Sequence, residues 1–164
     1  MYRAVLSIRS QNFKENLVNL FRYTRKPIIA VVKADAYGVG ALYVSSILEN
    51  FDEVSAFAVA CVEEGIELRR AGIKKKILVL GGVLKGEAKA FLEYKLTPVV
   101  SHWEHLKALE GINIPIQVKY DTGMGRLGFL DEIIKDERVE GVLSHLSSPL
   151  DRDFSLLQIE RFER

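Results

Sequence analysis

Two short segments of the chain carry side chains whose types and spacing could do covalent and acid–base chemistry. The first is Lys33-Ala34-Asp35-Ala36-Tyr37-Gly38-Val39-Gly40, which directly follows the apolar run 27–32 and so sets Lys33 at the carboxyl end of a strand pattern. A lysine amine forms a Schiff base with a carbonyl only in its neutral form, and bringing a reference pKa of about 10.4 towards 7 takes roughly 4 kcal/mol of bias from desolvation or neighbouring cations. A lone Val-Val-Lys more often marks a solvated strand end. Here Tyr37 lies four residues on, and Gly38 and Gly40 allow a sharp turn and a close approach to a ligand, as loops that hold phosphate require. The plain alternative is an ordinary strand-to-helix turn.

The second segment is Lys119-Tyr120-Asp121-Thr122-Gly123-Met124-Gly125-Arg126-Leu127-Gly128. Strand side chains alternate faces, so Ile114, Ile116, Val118 and Tyr120 point one way while Gln117, Lys119 and Asp121 point the other. Interior charges are costly unless paired, and a polar set beside Arg126 therefore suggests a polar site near the strand's carboxyl end. A strand covered on one face, with Gln117 and Lys119 in water, is equally compatible with this pattern. Gly123, Gly125 and Gly128 also spell G-x-G-x-x-G after a strand. A dinucleotide site would want an acidic residue closing the next strand, yet that strand, 139–143, runs into Ser144-His145-Leu146, so the match is weak.

His145 follows the sixth strand pattern and should lie on the carboxyl-end face with Lys33, placed to pack on or bond to a ligand. His102 and His105 flank Trp103 and Glu104 at a spacing that could suggest metal ligands, but no third ligand is evident and surface residues are the stronger reading. Arg69-Arg70 and Lys74-Lys75-Lys76 read as solubilising a loop before an apolar strand.

These residues need a frame, and the chain supplies one. Apolar runs at 28–32, 57–60, 77–80, 97–100, 114–120 and 139–143 alternate with helix-like segments. Leu17, Leu20 and Phe21 recur at helical spacing after Ser10, a plausible N-cap, and 62–71 ends at Gly72. Strands alternating with helices predict a parallel sheet, and strands apolar throughout predict one covered on both faces. A (β/α)8 barrel takes about 250 residues and eight strands. The 164 residues hold six strand patterns, so the expectation is a TIM-type α/β barrel that is incomplete here, with the last helical pattern, 158–164, reading as interrupted.

Composition narrows the partners. With 23 basic and 22 acidic residues the formal net charge is +1, which gives no general reason to expect a nucleic acid or a membrane surface. One cysteine, Cys61, permits no internal disulfide and sits in no zinc-ligand pattern, so a reducing, cytoplasmic setting is expected. No apolar run is long enough to span a bilayer.

Taken together, the two segments resemble the alanine racemases, whose motifs have the forms V-x-K-A-[ND]-A-Y-G-x-G and D-T-G-M-x-R-L-G. They stand here as 31–40 and 121–128, in the family's order, followed by Ser144-His145-Leu146, Gln158 and Phe162. The resemblance covers essentially the whole chain. It implies a pyridoxal 5'-phosphate-dependent isomerase that interconverts L- and D-alanine, supplying D-alanine for peptidoglycan. Lys33 would hold the cofactor as a Schiff base, Tyr37 its phosphate, and His145 would lie beside the pyridine ring. Arg126 would meet the substrate carboxylate, and Lys119 is the position that can be carbamylated in the family, which would let it orient Arg126 through a charge-assisted pair. Lys33 would serve as one of two bases.

The resemblance also implies a homodimer, a second base from the partner's C-terminal β domain, and an N-terminal strand, 1–9, belonging with that domain; residues 10–164 would be part of the cofactor-binding barrel. With that domain absent from the sequence, little activity is expected of these residues alone. Val39 departs from a common histidine, and Ser147-Ser148-Pro149-Leu150 from a small and acidic run. Alternatives are a barrel of decarboxylase type or a pyridoxal-phosphate-binding protein without catalysis; D-T-G-M-G-R-L-G favours the racemase.

Overall fold

In the computed structural model, which describes residues 7–164, the expected alternation of strand and helix is present up to the fifth strand, while the link from the fifth to the sixth strand is a loop without a helix. Six strands, β1 (Ile28–Val31), β2 (Val54–Val59), β3 (Lys76–Val79), β4 (Thr97–Val100), β5 (Ile116–Lys119) and β6 (Val139–Leu143), lie in the order in which the chain makes them. β1 pairs with β2, β4 with β5, and β5 with β6, each in parallel. Parallel neighbours require a crossover, supplied between the first five strands by α3 (Ala41–Leu48), α4 (Val62–Arg70), α5 (Ala88–Glu93) and α6 (Trp103–Ala108), and between β5 and β6 by the loop 120–138. α1 (Ser10–Thr24) precedes the first strand, and α7 (Arg152–Glu163) follows the last. The fold class is the α/β barrel type, with six of its strand units. The N-terminal strand expected at 1–9 falls largely outside the described residues.

The chain divides into two compact units, Met1–Leu78 and Val79–Arg164. In the first, β2 is buried at Val54, Ala56, Phe57, Ala58 and Val59, and Leu17 of α1, Val44 and Leu48 of α3 and Leu68 of α4 are buried as well. In the second, Val99, Val100, Ile116 and Val118 are fully buried with Phe91 and Leu109. A fully buried side chain of this size contributes about 1.5–3 kcal/mol relative to exposure, so these residues carry most of the packing energy.

Cover on both faces holds for β4 and nearly all of β2 but not for the end strands. Ile29 and Val31 of β1 remain about half exposed, as does Val142 of β6. The reason is positional, since each of these strands has a neighbour on one side only in the described sheet. β2 also begins three residues earlier than its apolar run, and β5 is shorter than 114–120.

Candidate functional site

Val32, the residue after β1, bonds through its N–H to the carbonyl of Ala58 at 2.8 Å, so Lys33 is the first residue beyond the pairing. From there the chain makes a single left-handed turn, α2 (Lys33–Gly38). Ala34, Asp35, Ala36 and Tyr37 have φ of 50, 53, 51 and 57°. Left-handed backbone costs an L-residue about 1–2 kcal/mol, and four in succession with no glycine among them must be held by specific bonds. Such bonds are present. Ala36 donates to the Val32 carbonyl at 2.9 Å and Gly40 to the Asp35 carbonyl at 2.9 Å. The Asp35 carboxylate accepts the Ala41 N–H at 2.7 Å and so caps α3. The Ala34 N–H donates to Glu64 Oε1 at 2.8 Å. The turn leaves Lys33 half-buried and Tyr37 69% exposed, its phenol open to a ligand.

In the second unit, the loop after β5 folds back on its own strand. Asp121 donates to the Phe129 carbonyl at 2.9 Å and Phe129 to the Lys119 carbonyl at 3.0 Å. Gly128, at φ 144°, makes this return possible. A Cβ there would lie 2.4 Å from the Asp121 nitrogen and 2.7 Å from the Tyr120 carbonyl carbon. Asp121 organises the rest: its Oδ1 accepts the N–H groups of Gly123, Met124 and Gly125 at 2.9, 2.7 and 3.1 Å, and its Oδ2 accepts that of Arg126 at 3.0 Å. Burial pushes this carboxyl up, but the four N–H groups outweigh it and hold it below the usual carboxylate range. The glycine-rich loop is therefore a nest of amides already occupied by its own anion, which argues against a phosphate or dinucleotide reading of G-x-G-x-x-G. Asp121, placed by strand alternation in an interior polar set, serves its own loop.

Lys119 is buried, 8% exposed, and Nζ donates to the Arg126 carbonyl at 3.2 Å. Arg126 is thus gripped through its main chain from both sides while its side chain stays exposed.

His145 lies two residues past β6 and is exposed. Its backbone is fixed by Gln158, a fully buried residue of α7 whose Nε2 donates to the His145 carbonyl at 3.1 Å and whose Oε1 accepts the Ser147 N–H at 3.0 Å. Thr122 Oγ1 lies 2.8 Å from Ser144 Oγ, which donates to the Tyr120 carbonyl. β5, β6 and α7 are joined here by side-chain bonds. The Ser147–Leu150 departure is a well-made turn: the Ser148 carbonyl accepts Asp151 N–H and Ser155 hydroxyl, and Asp151 caps α7.

Two residues that the sequence leaves in the background matter to this geometry. Glu64 and Gln158 each satisfy main-chain groups of a site loop from a distant helix, and neither carries a local signal of that role. His105 departs from the surface reading. Its ring packs against Gly82, where a Cβ would stand 2.1 Å from it, and Nδ1 accepts the Ser101 N–H at 3.2 Å. Burial, with His102 nearby, pushes its pKa below the ordinary value. His102 instead caps α6 by accepting the Glu104 N–H, and among the described residues no three histidine, cysteine or acidic side chains gather as a metal centre.

Fold and site together define a parallel α/β barrel-type protein with a lysine presented at the carboxyl end of its first strand. The chain belongs to the family described as alanine racemase, N-terminal domain, which matches residues 8–164. It is 60% identical over 163 residues to the alanine racemase of Aquifex aeolicus and 62% identical over 163 residues to that of Aquifex pyrophilus, in each case over 99% of this chain and 48% of the relative. Among solved structures it resembles alanine racemase from E. faecalis, with a TM-score of 0.81 and 29% identity over 95% of this chain and 48% of that one. The biosynthetic alanine racemase from Pseudomonas aeruginosa matches with a TM-score of 0.82 and 30% identity, over 93% of this chain and 47% of that one. The chain spans about half the length of the curated relatives it matches. No helix among the described residues is long and apolar enough to cross a membrane.

Proposed function

We propose that the protein to which these residues belong is a pyridoxal 5'-phosphate-dependent, cytoplasmic, homodimeric racemase that interconverts L- and D-alanine. The observation that carries this reading is Lys33, half-buried at the carboxyl end of β1 and followed by a left-handed turn that exposes Tyr37. A primary amine beside a phenol suits an aldehyde that carries a phosphate. When bound, pyridoxal phosphate supplies a carbonyl for the amine and a conjugated ring that takes up the charge left by a departing alpha proton.

The chain's own residues then divide the work. Lys33 would hold the cofactor through its amine and, as the free amine, would carry a proton at Nζ on one face of the alpha carbon. Tyr37 donates through its hydroxyl to phosphate, and His145 packs beside the ring. Arg126 pairs with the substrate carboxylate, and Lys119, carbamylated or as the amine, positions Arg126. Residues 10–164 act as part of the cofactor-binding barrel. The second base comes from the partner subunit, so racemisation belongs to the whole protein and these residues alone turn over little alanine.

Formation of D-alanine from L-alanine by the intact protein, supplied with pyridoxal phosphate, tests the reading. Arg126→Ala should raise KM for alanine at least tenfold. Cofactor binding without D-alanine formation would favour the non-catalytic or decarboxylase-type alternative.

A further inference from the structure

Glu64 stands in the first turn of α4, and its two carboxylate oxygens serve two different strand ends. Oε2 accepts the N–H of Ala60, just past β2, at 2.6 Å. That bond resembles the back-reaching contact of a capping box and would suffice to start the helix. Oε1 does something the helix does not need: it accepts the N–H of Ala34 at 2.8 Å, thirty residues away in sequence. Ala34 N–H belongs to the peptide formed by the Lys33 carbonyl, and Ala34 is the first residue of the left-handed turn. The orientation of that peptide is set by ψ of Lys33 and φ of Ala34, so anchoring its N–H fixes the backbone on which the Lys33 side chain stands.

We infer that Glu64 is the positioning residue for Lys33: its carboxylate ties the Lys33–Ala34 peptide to the end of β2 and thereby holds the left-handed turn and the direction of the lysine. A charge-assisted bond suits this task, being shorter and stronger than one between neutral groups. The other bonds of the turn, Ala36 to Val32, Val39 to Ala36, Gly40 to Asp35 and Ala41 to the Asp35 carboxylate, all lie within the segment 32–41. Glu64 ties the turn to a second strand end. The inference rests on Lys33 being the amine that takes pyridoxal phosphate, and the test separates the two claims.

The intact protein and its Glu64→Ala, Glu64→Gln and Glu63→Gln variants are incubated with pyridoxal phosphate, reduced with borohydride and mapped for pyridoxyl label at Lys33, while amide exchange is followed at Ala34 and Ala60. Glu63 carries the same charge on the same helical turn but bonds to the Cys61 thiol, so it controls for helix start and net charge. Glu64→Ala should slow labelling of Lys33 at least tenfold and speed exchange at both amides. Glu64→Gln, which keeps one acceptor, should fall between, and Glu63→Gln should stay within twofold of the parent. If Glu64→Ala does not fold, Glu64→Gln alone decides. Unchanged labelling of Lys33, with faster exchange confined to Ala60, would reduce Glu64 to a helix cap and overturn the inference. Label on another lysine in the parent protein would overturn the cofactor reading, and exchange at Ala34 would still judge Glu64, unaltered exchange there counting against it.

Discussion

Lys119 donates through Nζ to the main-chain carbonyl of Arg126 at 3.2 Å. Two cations that would repel through their side chains are brought together through an amide instead. Since Asp121 Oδ2 holds the N–H of the same residue, Arg126 is fixed at both ends of its backbone and its guanidinium remains exposed. The buried amine has a structural use whether or not it is carbamylated.

Lys119→Met keeps most of the unbranched side chain and removes its donor. With the Arg126 carbonyl left without this partner, the variant should lose about 1.5–3 kcal/mol of stability in denaturant unfolding, in line with a hydrogen bond to a charged group. Amide exchange should quicken at Arg126 and Leu127. A loss below about 0.5 kcal/mol would mean that water replaces the amine without cost.

Gly128→Ala should be among the most damaging single-methyl changes in the chain. The added carbon would meet backbone at 2.4 and 2.7 Å, and φ of 144° is strained for any L side chain. The loss should reach about 4 kcal/mol or more, the range of exceptional point mutants. Gly141→Ala offers the contrast, since its carbon would meet the flexible Gln117 side chain at 2.6 Å, and it should cost only a fraction of that. Thermal unfolding of the two variants side by side measures the difference.

The same two segments show how much is legible in the sequence. Strand order, parallel pairing and the bounds of β4 and β6 follow from apolar runs punctuated by glycine and proline, which are local signals. The left-handed turn after Lys33 does not, because Ala34, Ala36 and Tyr37 have no intrinsic preference for it, and Glu64, which helps to hold it, lies thirty residues on from Ala34. Asp121 is misplaced by alternation for a related reason: alternation says which face a strand residue takes, but the loop that returns to pair Phe129 with Lys119 recruits the carboxylate to its own amides. His105 reads as a surface residue because Gly82, whose missing side chain makes room for its ring, lies far off in sequence.

Two groups should make stability depend on pH, in separate windows. Asp136 bonds to Arg138, which also reaches the carbonyls of Leu109 and Ile112, and this partner holds the carboxyl down at about 2 against an ordinary value of 3.8. A depressed carboxyl contributes stability that is full above the unfolded value and is lost as pH falls from about 4 through about 2. His105 is also depressed, by burial first and then by His102. The folded state resists its protonation, so stability is full above about 6.5 and declines as pH falls through the lowered folded value. Tm followed against pH should flatten in the acid window in Asp136→Asn and in the upper window in His105→Gln. Parallel curves for parent and variants would contradict both assignments.

The most direct measurement is the site of cofactor attachment. The intact protein is incubated with pyridoxal phosphate, reduced with borohydride, digested and mapped by mass spectrometry, beside Lys33→Ala. The label should fall on Lys33, and both the label and the cofactor's shifted absorption should vanish in the variant. Full labelling at another lysine, undiminished in Lys33→Ala, would contradict the assignment of Lys33 as the residue that holds the cofactor.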